Sequence, residues 1–87
     1  MSRNIGPKRL KKYRIEKGIS IYDLAEIVRA DPSTISYWEN GKKYPRHEKI
    51  IALEDYFERH YRDLFTDLTD HEIKVLENLE KLKRLNK

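Results

Sequence analysis

The sequence predicts an all-α fold built from several short amphipathic helices. Three observations lead there. Apolar residues recur at i, i+3 and i+4 in segment after segment, the spacing of one helical face. Helix start and stop residues bracket those segments: Ser20, Asp31 and Thr69 before them, Gly18 and Gly41 after them. Charged residues make up 39% of the chain and mean hydropathy is -0.91, which leaves little apolar surface beyond one small core. A chain of 87 residues buries roughly 60 to 65% of its unfolded surface.

In chain order, Met1 to Ile5 is a polar arm, whose Arg3 and Asn4 either reach a phosphate or stay unstructured. Gly6-Pro7 is expected to open the first helix, running to about Lys17 and capped by Gly18. Leu10, Tyr13 and Arg14 share its inner face, and an arginine on an apolar face invites a partner. Ser20 is a good N-cap for the second helix. Asp23 stands where a capping box would have Glu or Gln, so that box is approximate. Leu24, Ile27 and Val28 form the apolar face, and Ala25 is small enough to let another helix close in. Asp31-Pro32 starts a third helix, with Asp as N-cap and Pro at the first position. Ile35 and Trp38 face inward. Ser33, Thr34, Ser36 and Tyr37 lie outward. Gly41 ends this helix as a left-handed cap residue.

Lys42, Lys43, Tyr44 and Arg46 make a basic loop before Pro45 and the fourth helix, which runs from about Arg46 or His47 to Arg59. Ile50, Ile51, Leu53, Tyr56 and Phe57 supply its apolar face. Glu58-Arg59-His60 contains no glycine, so this helix either extends or turns without a breaker. Tyr61, Leu64 and Phe65 follow. Thr69 with Glu72 makes a capping box for a last helix to about Leu85. Ile73, Val75, Leu76, Leu79, Leu82 and Leu85 are its apolar residues, more than one face needs.

Two short helices around a tight turn, with small hydroxyls and a tyrosine outward, form the shape that enters the DNA major groove. The run LAEIVRADPSTISYWENGKKYP resembles the helix-turn-helix of the Cro and phage-repressor-like (Xre-type) family of bacterial and phage regulators. The matching features are Leu24-Ala25, Thr34-Ile35-Ser36 and Glu39-Asn40-Gly41 with Pro45 after it. Leu10, Arg14, Gly18 and Leu64-Phe65 extend the likeness to roughly residues 5–65. The resemblance implies a five-helix repressor-type domain over 1–65; beyond it, the residues of 66–87 themselves add an extra C-terminal amphipathic helix. The resemblance also implies that Pro32, Ser33, Ser36 and Tyr37 read bases, and that Thr34, Asn40, Lys42, Lys43 and Arg46 hold phosphate. It further implies a structural ion pair between Arg14 and Glu39. One departure is Arg29, at a turn position where the family usually carries Gly. Either the turn geometry shifts, or Arg29 bears a positive φ because its side chain helps elsewhere.

Charge supports a nucleic-acid partner. Residues 1–49 hold 12 Lys/Arg against 6 Asp/Glu, while residues 50–87 hold 7 against 9. The expected partners are double-stranded DNA and a second copy of the chain, paired through 70–86. A toxin or antirepressor stays open as a protein partner, which would make the chain an antitoxin or a pure interaction module. No cofactor and no metal are expected: the chain has no Cys, and His47, His60 and His71 are scattered. No Walker loop, nucleophile elbow or dinucleotide fingerprint occurs, so an enzyme is not expected. No apolar run approaches the roughly 20 residues a membrane span needs. No signal peptide is legible, and a cytoplasmic, nucleoid-associated protein is expected.

Overall fold

The computed structural model describes residues 6–85, with side chains through residue 82. Arg3, Asn4 and the side chain of Leu85 lie outside the described residues. The fold is all-helical: α1 (Arg9–Glu16), α2 (Ile21–Val28), α3 (Pro32–Glu39), α4 (His47–Phe57), α5 (Tyr61–Leu64) and α6 (Asp70–Leu85).

The first helix starts later than Gly6-Pro7. Residues 6–8 stay extended because their backbone groups are used elsewhere. Gly6 N–H donates to the Asn40 carbonyl at 2.9 Å, and Lys8 N–H to the Glu39 carbonyl at 2.8 Å. These bonds satisfy carbonyls that the C-terminus of α3 would otherwise leave unpaired. The opposite edge of the strap meets the segment before α6. Leu68 N–H donates to the Pro7 carbonyl at 3.0 Å, and Arg9 N–H to the Thr66 carbonyl at 2.9 Å. Lys8 and Asp67 form an isolated antiparallel bridge and an ion pair.

Both capping boxes are complete. Asp23 N–H donates to Ser20 Oγ and Ser20 N–H to Asp23 Oδ2, each at 3.0 Å. The shorter Asp therefore closes the box as Glu would. Glu72 N–H donates to Thr69 Oγ1 at 3.1 Å, and Thr69 N–H to Glu72 Oε1 at 2.9 Å. Asp31 is different: it occupies the N-cap position of α3, but its side chain makes no capping hydrogen bond. Pro32 has no N–H to offer, so the cap rests on backbone geometry alone.

The main core gathers Leu10 and Tyr13 of α1, Leu24, Ala25 and Val28 of α2, Ile35 and Trp38 of α3, Leu53 and Phe57 of α4, and Leu64 of α5. Buried Ala25 lets α3 lie close against α2, which rotates the inner face of α2 toward it. Ile27 is left exposed as a result, contrary to its sequence reading. Ile51 of α4 is also exposed, because Leu53 and Phe57 take the inner side. Helix α4 ends at Phe57 without glycine: Glu58 adopts the left-handed conformation at φ 56°. Glu54 then receives the turn. Its carbonyl accepts Glu58 N–H at 2.7 Å, and its Oε2 accepts Tyr61 N–H at 2.7 Å, starting α5.

Helix α6 docks on α1 through a second, smaller cluster of Ile15, Leu68 and Leu76, with Ile73 beside it. Lys12 Nζ donates to Glu72 Oε2 at 3.0 Å across the same junction. Val75, Leu79 and Leu82 stay exposed on another stripe of the helix.

Candidate nucleic-acid interface

Helices α2 and α3 form a helix-turn-helix, and α3 presents its outward side to solvent. Ile35 and Trp38 anchor it from within, at 0% and 3% exposure. That anchoring sets the direction of the remaining residues by helical period. Ser33 and Tyr37 are exposed, and Pro32, Thr34 and Ser36 are half-buried. Lys43 Nζ stands 5.1 Å from the centre of the Tyr37 ring, within cation–π range. The loop is drawn back to put it there: Lys42 and Lys43 N–H both donate to the Tyr37 carbonyl, at 2.9 and 3.4 Å.

The five polar side chains expected to hold phosphate do not stand alike. Lys42, Lys43 and Arg46 are exposed. Asn40 is turned inward, its Nδ2 donating to the Ser36 carbonyl at 2.9 Å. One of its N–H groups is thereby engaged in closing the helix. Thr34 lines an open groove of about 640 Å³ between α3 and the start of α4, together with Arg29, Asp31, Lys43, Arg46 and Lys49.

Behind this surface, Arg14 of α1 meets Glu39 at the end of α3. Arg14 Nε donates to Oε2 at 2.6 Å and Nη2 to Oε1 at 3.2 Å, a bidentate pair. Arg14 Nη1 also donates to the Ile19 carbonyl at 2.9 Å. Both side chains are buried, 9% and 2% exposed. Burial pushes the Glu39 carboxyl above its ordinary value, and the hydrogen bonds and charge of Arg14 pull it partly back. The pair ties the C-terminal end of α3 to α1 while the strap of residues 6–8 ties the same end through its backbone.

The turn between α2 and α3 keeps its left-handed residue. Arg29 sits at φ 59°, ψ 56°, as the C-cap of α2. Lys49 of α4 reaches this turn and donates to the carbonyls of Val28 and Arg29 at 2.9 and 2.7 Å. A cation at a helix C-terminus is electrostatically favourable. Sequence reasoning missed the position of Lys49, because it is 21 residues from Val28 and no local signal links them.

A second polar junction supports the domain from the α1–α5 side. Asp63 accepts from Tyr13 Oη at 2.8 Å and from Arg59 Nη1 at 3.0 Å. Partial burial opposes its charge, yet these bonds prevail and hold its carboxyl below the ordinary value. Among the described residues, no group of three or more His, Asp or Glu side chains is placed to hold a metal ion. Among those residues, too, no helix is long and apolar enough to cross a membrane.

The fold and surface together define a helix-turn-helix DNA-binding domain. A family model described as helix-turn-helix matches residues 10–64, which is most of the chain. The chain belongs to the Cro and phage-repressor-like (Xre-type) helix-turn-helix family, whose members are DNA-binding transcription regulators. No curated protein and no solved structure matches it.

Proposed function

We propose that this regulator binds a specific double-stranded DNA sequence as a repressor of phage, plasmid or similar mobile-element type. In this reading α3 enters the major groove. Ser33 and Ser36 hydrogen-bond base edges, and Pro32 offers an apolar contact such as a thymine methyl accepts. Tyr37 reads from the next turn. Thr34, Asn40, Lys42, Lys43 and Arg46 hold phosphates and set register without reading sequence. The observation that carries the reading is the combination on α3. A rigidly anchored helix leaves Ser33 and Tyr37 outward, with exposed Lys42, Lys43 and Arg46 at its C-terminal side. Arg14 and Glu39 act as a structural brace, and no part of the reading needs a cofactor.

The regulator would act as a homodimer through 70–86, where Val75, Leu79 and Leu82 remain uncovered at 42%, 41% and 55% exposure. Repression would follow from occlusion of a promoter. Random-sequence selection of bound duplex DNA tests the reading. Recovery of one motif, as an inverted repeat with half-sites about one helical turn apart or a multiple, is the expected result. Enrichment of no motif would overturn it.

A further inference from the structure

We infer that Arg29 is a DNA-backbone contact, part of a cationic groove that grips one phosphodiester strand beside the reading helix. The inference rests on the DNA-binding reading above and adds a residue to it. Arg29 occupies a left-handed turn position, φ 59°, where glycine is free of strain. Strain alone proves nothing here, since Glu58 adopts the same conformation at the end of α4. What sets Arg29 apart is its surroundings. It lines the groove of about 640 Å³ with Thr34, Lys43, Arg46 and Lys49, against one carboxylate, Asp31.

The roles within the groove differ. Lys49 is spent on the two carbonyls of the turn. It holds the backbone of Arg29 in place and leaves the guanidinium out of that bonding. Among the described residues, the Arg29 guanidinium makes no hydrogen bond and no ion pair. An exposed arginine in a strained turn, with cations around it and no structural partner, is unfavourable for an isolated domain. It becomes favourable when a polyanion fills the groove, because guanidinium suits phosphate geometry and binding releases counterions. The groove also adjoins the reading surface: Lys43, one of its lining residues, stands over the Tyr37 ring. A strand lying in it would run along α3 while the base-facing residues enter the major groove.

The test uses the full chain, a duplex carrying the selected motif and a scrambled duplex, with affinity measured by fluorescence anisotropy across a salt series. Arg29→Gly should keep or raise the thermal midpoint, since glycine relieves the turn. It should weaken both duplexes alike, by about tenfold, as loss of one charge-assisted phosphate contact implies. Its salt slope should be shallower by about 0.9 per copy bound. Arg29→Asn, which tolerates the left-handed conformation, should behave the same way. Arg29→Lys should retain most of the slope. A stable Arg29→Gly with unchanged affinity and slope would overturn the inference. So would a variant whose binding falls only because the domain unfolds. Wild-type protein that shows no salt-dependent binding would instead sink the DNA-binding reading, and this inference with it.

Discussion

Glu39→Ala removes one half of a buried ion pair and strands the other. Arg14 would keep its bond to the Ile19 carbonyl but lose both bonds to the carboxylate, those at 2.6 and 3.2 Å. With its side chain only 9% exposed, water cannot replace them freely. Breaking a buried pair from one side costs about 3 to 5 kcal/mol. Alanine is a good helix former, so no loss of helix propensity adds to that figure. At roughly 0.05 to 0.15 kcal/mol per residue, a chain of this length has about 4 to 13 kcal/mol of stability in all. The variant therefore loses a large share of it. A small domain shifts by about 4 to 8 °C per kcal/mol, so the midpoint should fall by at least about 12 °C. The assay is thermal unfolding by circular dichroism, together with the double-mutant cycle. Arg14→Met with Glu39→Leu replaces both charges with apolar groups of similar reach, and should lie within about 1 kcal/mol of wild type. A Glu39→Ala loss under about 1 kcal/mol would refute the reasoning. So would a double variant no more stable than the sum of the singles.

Other outcomes follow from the same structure. Tyr37→Ala should change which sequences are selected, while Lys43→Ala weakens all of them, since base contacts specify and phosphate contacts position; parallel selections with both variants check this. Wild-type affinity should fall with a log–log salt slope of about -4.5 to -7 if about 5 to 8 phosphates are neutralised per dimer, which a mobility-shift titration measures. Leu79→Glu with Leu82→Glu should leave the fold intact and the chain monomeric by light scattering, because both side chains lie outside the two core clusters. The docking of α6 should loosen in acid. The Glu72 carboxyl is held below its ordinary value, first by the Thr69 N–H and then by Lys12. Its stabilisation is complete above the ordinary carboxylate range and is lost as pH falls through the lowered folded value. Hydrogen exchange in α6 should speed up across that window, and Glu72→Gln should abolish the pH dependence.

What was legible in the sequence was local. Apolar period, Ser20 with Asp23, Thr69 with Glu72, and Gly18 and Gly41 sufficed for an all-helical chain and most helix ends, because each of these signals acts within one turn of backbone. Inward-facing Ile35 and Trp38 followed from the same period. The family resemblance rested on such short runs in the right order. Where partners were distant in sequence, the signal vanished. Nothing near Gly6-Pro7 announces that the strap will serve the end of α3 on one edge and residues 66–68 on the other, so the first helix was expected too early. Ile27 and Ile51 read as core because they are apolar and correctly spaced. Their exposure was decided by which side of each helix faces its neighbours: Ala25 in α2, and Leu53 and Phe57 in α4, are the residues turned inward. The last helix shows the division plainly. Its surplus of apolar residues was visible in the sequence, but only the packed structure sorted them, Ile73 and Leu76 against Ile15 and Leu68, Val75, Leu79 and Leu82 toward solvent. At the candidate surface, residue types were named by sequence; contacts local to the end of α3 turn Asn40 onto Ser36 and set Lys43 over Tyr37, while only the tertiary fold brings Lys49 to the turn at Arg29. Backbone preference is written residue by residue, whereas the facing of a side chain depends on elements that fold against it from elsewhere in the chain.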